Sequence, residues 1–91
     1  MLEKTIENKV ITYAKEKGFL AYKFTSPSNR SVPDRILISP TGTISFIEFK
    51  RKGKLPTKLQ QHTIEALINR GVRVQIVDDI SLGKEIIDEW I

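Results

Sequence analysis

Asp34, Glu48 and Lys50 have the residue types and the spacing needed for metal-assisted chemistry on a phosphate group. Side chains alternate between the two faces of a strand, so Glu48 and Lys50 are expected to project from the same side. A hairpin with its tip near Thr41 pairs residues that lie equally far on either side, which places Asp34 close to opposite Glu48. The sequence therefore predicts two carboxylates and one ammonium group converging at a strand end.

The sequence around these charges is apolar. Glu48 lies between Ile47 and Phe49, and Asp34 directly follows Pro33 at the start of another apolar stretch. Charges inside apolar strands are costly unless they are paired or bind a metal, and facing carboxylates suit Mg²⁺. A nearby lysine can orient or help to deprotonate the attacking water and can stabilise charge that builds on phosphorus. The alternative is an ordinary cross-strand salt bridge on a solvated face.

Hydrophobic periodicity predicts the elements that position these residues. Helices are expected over 2–17, 57–70 and 81–91, and strands over 19–24, 34–38, 44–50 and 72–77. Polar residues 25–31 form a loop, Pro40-Thr41-Gly42 a turn, and Arg51 to Lys54 a basic loop. We expect one α/β domain over residues 1–91, in the order α-β-β-β-α-β with a short C-terminal helix.

Composition excludes several classes of site. The chain has 91 residues, no cysteine and one histidine, which excludes disulfides, zinc fingers, cysteine nucleophiles and histidine metal clusters. A net charge of +4 favours a polyanionic partner, although charge alone is a weak signal. No apolar run approaches the roughly 20 residues of a membrane-spanning helix, and the N-terminus lacks the apolar segment of a signal peptide. We expect a cytoplasmic protein with no membrane partner.

The series of motifs resembles a known family. Pro33-Asp34 followed by Glu48-Phe49-Lys50 resembles the PD-(D/E)xK nuclease signature. The fuller series is similar to the stand-alone VRR-NUC domains of phages and bacteria; it comprises Glu3 or Glu7, Lys23-Phe24, Pro33-Asp34-Arg35, Glu48-Phe49-Lys50 and Gln60. The resemblance extends from Glu3 to about Val77. One departure is that the family usually has glycine shortly before the aspartate, where this chain has Ser31-Val32-Pro33, and serine suits a position of positive φ less well.

The resemblance implies a restriction-endonuclease-like core with a mixed sheet flanked by helices. It also implies a Mg²⁺-dependent, structure-specific DNA endonuclease in which Mn²⁺ can substitute. Such an enzyme would cut branched DNA such as Holliday junctions as a homodimer, in a bacterial or phage-infected cell. The alternatives are a non-catalytic nucleic-acid-binding module with a nuclease fold, and a nuclease acting on flaps, single strands or RNA.

Roles for individual residues follow from the same resemblance. Asp34, Glu48 and the backbone carbonyl of Phe49 would be the metal ligands, and Lys50 would serve the attacking water. Glu3 or Glu7, one helical turn apart, would assist at the metal or water. Gln60 would support the site from the second helix, although Thr57-x-x-Gln60 is also a capping box.

Basic residues near the proposed site are candidate nucleic-acid contacts, with solvated loop positions as the alternative. They are Lys23, Arg30, Arg51, Lys52, Lys54 and Lys58. Arg35 is expected on the face opposite Asp34, where a structural or dimer-contact role is as plausible as DNA binding. Trp90 is expected to close the core or to lie in a dimer interface.

Overall fold

The computed structural model describes residues 1–91, which form three helices and a four-stranded sheet. The elements are α1 Glu3–Glu16, β1 Leu20–Lys23, β2 Arg35–Ile38, β3 Ile44–Phe49, α2 Lys58–Ile68, β4 Arg73–Val77 and α3 Ile80–Trp90. The sheet has the order β1-β2-β3-β4; β4 is parallel to β3, and the other pairs are antiparallel. The order of the elements along the chain and the mixed sheet are both as predicted. None of the helices has the length and apolar character required to cross a membrane.

The β2–β3 hairpin has the register that the spacing predicts. Arg35 pairs with Ile47, and Ile38 pairs with Ile44. The turn contains Gly42, whose φ of 90° is a conformation that glycine adopts without strain. The N–H of Gly42 donates to the carbonyl of Ser39 at 2.8 Å. Continuing this register by one pair sets Asp34 opposite Glu48.

The main core lies on the face of the sheet covered by α1 and α3. Its members are Ile6, Val10, Ile11, Ala14, Phe19, Leu37, Ile47, Phe49, Val77, Ile86, Ile87 and Trp90. The two helices approach closely at Gly83, where an added β-carbon would overlap the side chain of Val10 and lie 3.1 Å from Val77. Trp90 is buried in this core, with the guanidinium of Arg73 over its ring. Core closure is therefore the role that the structure gives to Trp90.

The opposite face of the sheet is covered only in part. Glu48 alternates with Ile47 and Phe49 and so faces away from the main core, toward α2. The α2 helix packs along β4 and buries Ile64. The part of this face formed by the first three strands keeps apolar side chains about half exposed, namely Leu20, Tyr22 and Ile44.

Candidate active site

Three side chains form a row across the ends of the first three strands. The N–H of Phe24 donates to the carbonyl of Asp34 at 2.8 Å, which extends the β1–β2 register by one residue. The Oδ2 of Asp34 accepts a hydrogen bond from the N–H of Phe49 at 2.8 Å, which holds this carboxylate against the end of β3. The row therefore runs from Phe24 through Asp34 to Glu48, as the hairpin geometry predicts for the two acids.

The Glu48 side chain is deeply buried, with 2% of the residue exposed. Its Oε2 lies 3.5 Å from the ammonium nitrogen of Lys50, which is itself only 7% exposed. The same oxygen accepts a hydrogen bond from the Nε2 of Gln60 at 3.3 Å. The other oxygen, Oε1, is buried without any hydrogen-bond partner. One carboxylate oxygen is thus fixed by two donors, and the other carries unused acceptor capacity.

Negative charge is in excess at this point of the molecule. Burial, and after it the negative charge of the nearby Asp34 carboxylate, raises the pKa of Glu48 to about 7. Burial also raises the pKa of Asp34, with added contributions from Glu7 and Glu3, while the hydrogen bond from Phe49 opposes the shift. A pattern of acids that disfavour one another's charge is typical of functional sites that bind a cation.

The site fits Mg²⁺ better than a metal that needs a full protein cage. No group of three or more acidic, histidine or cysteine side chains lies close enough to hold an ion alone. Asp34 and Glu48 supply two carboxylates. Mg²⁺ is commonly bound by one or two carboxylates, with water and substrate phosphate as the remaining ligands. The unpartnered Oε1 of Glu48 is the structural observation that supports this fit, because a buried carboxylate oxygen without a partner is costly.

Gln60 makes the contacts that both interpretations of the sequence require, a capping box and a hydrogen bond to Glu48. Its Oε1 accepts from the N–H of Thr57 at 3.0 Å, and its own N–H donates to the Thr57 hydroxyl at 3.2 Å, which completes a capping box. The side-chain nitrogen of Gln60, Nε2, donates a hydrogen bond to Glu48 at the same time. The start of α2 is thereby linked to the Glu48 carboxylate through one side chain.

The two glutamates of α1 differ in their contacts. Glu7 forms an ion pair with Arg35, whose Nε lies 2.7 Å from its Oε2, and both side chains are largely buried. Glu3 is exposed and raises the pKa of both Asp34 and Glu48 through its negative charge. Arg35 thus ties the first helix to the sheet, which is the structural role considered from the sequence.

The basic loop after β3 is attached to the end of β4. The N–H of Gly53 donates to Asp78 at 3.1 Å, and Lys52 lies 3.6 Å from Asp79. These contacts hold the loop against the residues that follow β4. The remaining basic candidates, Lys23, Arg30, Arg51, Lys54 and Lys58, are all exposed and available to a polyanion.

The loop before β2 is anchored by residues that no motif or periodicity in the sequence singles out. The Ser31 hydroxyl is buried and lies within hydrogen-bond distance of Asn29 and of Thr63 on α2. Ser31 does not adopt positive φ, since glycines alone do so in this chain. The serine therefore fits the loop and supplies an anchor, and no periodicity or motif could have identified Thr63, which lies 32 residues away.

The chain is similar in sequence to a phage protein and in fold to a solved domain. The chain is 38% identical over 81 residues to "Putative nuclease p44" of Acyrthosiphon pisum secondary endosymbiont phage 1, with 89% of this chain and 87% of the relative covered. A solved structure described as "VRR_NUC domain" superposes with a TM-score of 0.90 at 23% identity, covering 98% of this chain and 97% of the other. No protein-family profile matches the chain. The fold is therefore that of a VRR-NUC domain, and the phage relative is one described as a nuclease by its name alone.

Proposed function

This chain belongs to the VRR-NUC family of nucleases, and we propose that it is a divalent-metal-dependent endonuclease that hydrolyses phosphodiester bonds in branched DNA. The observation that carries the proposal is the environment of Glu48. Its Oε1 is buried without a partner, beside a second carboxylate and a buried lysine. An arrangement kept only for stability would not leave this oxygen unsatisfied.

The proposed metal ligands are Asp34, Glu48 and the carbonyl of Phe49. Mg²⁺, or Mn²⁺ in its place, would act there as a Lewis acid on the phosphate and lower the pKa of bound water. Asp34 is held in position by the N–H of Phe49, and Glu48 is held by Gln60. These contacts fix both carboxylates before any substrate arrives.

Lys50 would act on the attacking water. Its ammonium is buried beside Glu48, so its charge is little screened by solvent. From this position it can orient the water and offset the negative charge that develops on the phosphate oxygens. Glu3, exposed at the start of α1 and close enough to affect both acids, is the first-helix residue that we assign to the site; Glu7 is engaged by Arg35.

DNA would lie across the basic residues around the site. The chain carries 15 basic and 11 acidic residues, and Arg51, Lys54 and Lys58 are exposed and follow Glu48 and Lys50 closely in the sequence. Such contacts provide affinity without reading sequence. The phage origin of the relative supports activity in the cytoplasm of a bacterial or phage-infected cell.

Cleavage of a substrate panel tests the proposal. We expect labelled four-way junctions to be cut in Mg²⁺ and Mn²⁺ but not in EDTA, and faster than linear duplex. Asp34→Ala should abolish cutting while leaving binding measured in EDTA intact or stronger, because the carboxylate repels phosphate when no metal is present. Binding of DNA without metal-dependent cutting of junctions, flaps, single strands or RNA would show a non-catalytic binding module instead. If only flaps, single strands or RNA are cut, the enzyme is a nuclease for that substrate and the proposed preference for junctions is wrong.

A homodimer would place two active sites on one junction. We propose that it forms through the uncovered sheet face, where Leu20, Tyr22 and Ile44 are 53%, 53% and 52% exposed. Light scattering coupled to gel filtration should give a dimer for the wild type and a monomer for Ile44→Glu, with Glu65→Lys on the exposed side of α2 as a charge-change control. A wild type that remains monomeric with bound junction DNA would contradict the paired-cut proposal.

A further inference from the structure

We propose that the cleft beside Asp34 binds one unpaired nucleotide adjacent to the phosphate that is cut, with its base against Phe24 and its backbone phosphate at Arg30. This inference rests on the proposed nuclease function and names the feature of branched nucleic acid that the site recognises. The cleft has a volume of about 230 Å³ and is lined by Phe24, Thr25, Ser26, Arg30, Val32 and Asp34. It therefore combines an aromatic ring, an arginine and Asp34, one of the three proposed metal ligands.

The position of Phe24 in the cross-strand row is the first argument. Phe24 stands next to Asp34 on the side away from Glu48, as its backbone hydrogen bond to Asp34 shows. A nucleotide whose phosphate is close to the two carboxylates would thus have its base within reach of this ring. The ring is partly exposed, and it lies at the sheet edge, where no further strand covers it.

The chemistry of the lining is the second argument. Bases without a pairing partner bind proteins by stacking on aromatic rings, and this contact tolerates any base because every base has a π-face. Arg30 is exposed and can pair with the phosphate. The cleft is smaller than the roughly 300–1,000 Å³ of sites for drug-sized ligands, which suits one base and excludes a base pair. A nucleotide in a continuous duplex would have to leave its stack to enter.

The rigidity of the cleft is the third argument. The Phe24 ring packs against Phe46, with centroids 5.3 Å apart, so it is held at a fixed angle. The loop that carries Arg30 is anchored by the buried Ser31 hydroxyl to Thr63 on α2. Both walls of the cleft are therefore formed before a nucleotide binds, which reduces the entropy cost of binding.

Two matched duplexes test the inference, one fully paired and one with a single unpaired 2-aminopurine beside the cut site. In Mg²⁺ we expect the wild type to cut the unpaired substrate at least ten-fold faster. Phe24→Leu, which keeps an apolar side chain but has no ring to stack on, should lose roughly ten-fold on that substrate and little on the paired one. Phe46→Leu removes the packing partner of Phe24 but keeps the stacking ring in the cleft, so it should lose less of the preference than Phe24→Leu. Thermal unfolding of both variants controls for folding.

Fluorescence of the same 2-aminopurine, recorded in EDTA, separates this inference from the nuclease proposal. Stacking on Phe24 should quench the signal for the wild type and for Phe46→Leu, but not for Phe24→Leu. If the wild type cuts both duplexes but Phe24→Leu keeps the wild-type preference and quenching, the inference is overturned while the nuclease function stands. If nothing is cut but quenching depends on Phe24, the nuclease proposal fails while the nucleotide site is supported.

Discussion

Replacing Lys50 with methionine should lower the single-turnover rate of phosphodiester cleavage by about 10²–10⁴-fold, the range typical of a positioned acid–base group. Methionine retains most of the length and apolar contact of the lysine stem but lacks the charge. The ammonium group is buried 3.5 Å from Glu48, where it can offset developing charge but can add little to the exposed DNA-binding surface. DNA affinity measured without metal is therefore expected to stay close to that of the wild type.

The matched control is Lys15→Met, an exposed change near the end of α1 that removes the same charge. It should leave the cleavage rate near that of the wild type, so a shared loss in both variants would point to net charge instead. Saturating Mg²⁺ should be used throughout, because loss of Lys50 also removes a charge that favours ionised Glu48. A Lys50→Met enzyme that cuts within a factor of three of the wild type would exclude a role for Lys50 in the chemical step.

Glu48→Gln should raise the stability of the metal-free protein at pH 8 while removing its stabilisation by Mg²⁺. The pKa of Glu48 rises from 4.5 to about 7 on folding, because burial and the Asp34 charge disfavour the carboxylate. Between these two values the folded protein binds a proton that the unfolded chain has released, so stability falls as pH rises. Above pH 7 the full penalty is present, roughly 3 kcal/mol by linkage. The amide of the Glu48→Gln variant carries no charge, so this loss of stability is absent from that variant.

Thermal unfolding across pH measures the effect. A change of 1 kcal/mol shifts Tm by about 4–8 °C in a domain of this size, so the variant should unfold several degrees higher in EDTA at pH 8. Mg²⁺ should raise the Tm of the wild type and leave that of Glu48→Gln nearly unchanged, since a ligand stabilises only the state that binds it. Glu89→Gln, an exposed change on α3, is the control. An equal Mg²⁺ response in wild type and Glu48→Gln would exclude Glu48 as a metal ligand.

Local sequence patterns determined most of the architecture. The period of the apolar residues predicted three helices and four strands in the observed order, with boundaries that differ by at most two residues. Strand alternation and the turn near Thr41 fixed the register that brings Asp34 opposite Glu48. These features depend on short-range geometry, in which each residue position follows from its neighbours along the chain. The Thr57–Gln60 capping box is local in the same sense.

The sequence by itself thus determined the type of fold and its family, and it singled out the three residues that we propose for the chemistry. Only the tertiary structure decided which groups surround them. It assigned Glu7 to Arg35, gave Gln60 both a capping and a supporting contact, and brought Thr63 to Ser31. It also left one oxygen of Glu48 without a partner and opened a cleft beside Phe24. These contacts join residues distant in the chain, and their distances depend on how α1 and α2 pack on the sheet, which no local pattern encodes.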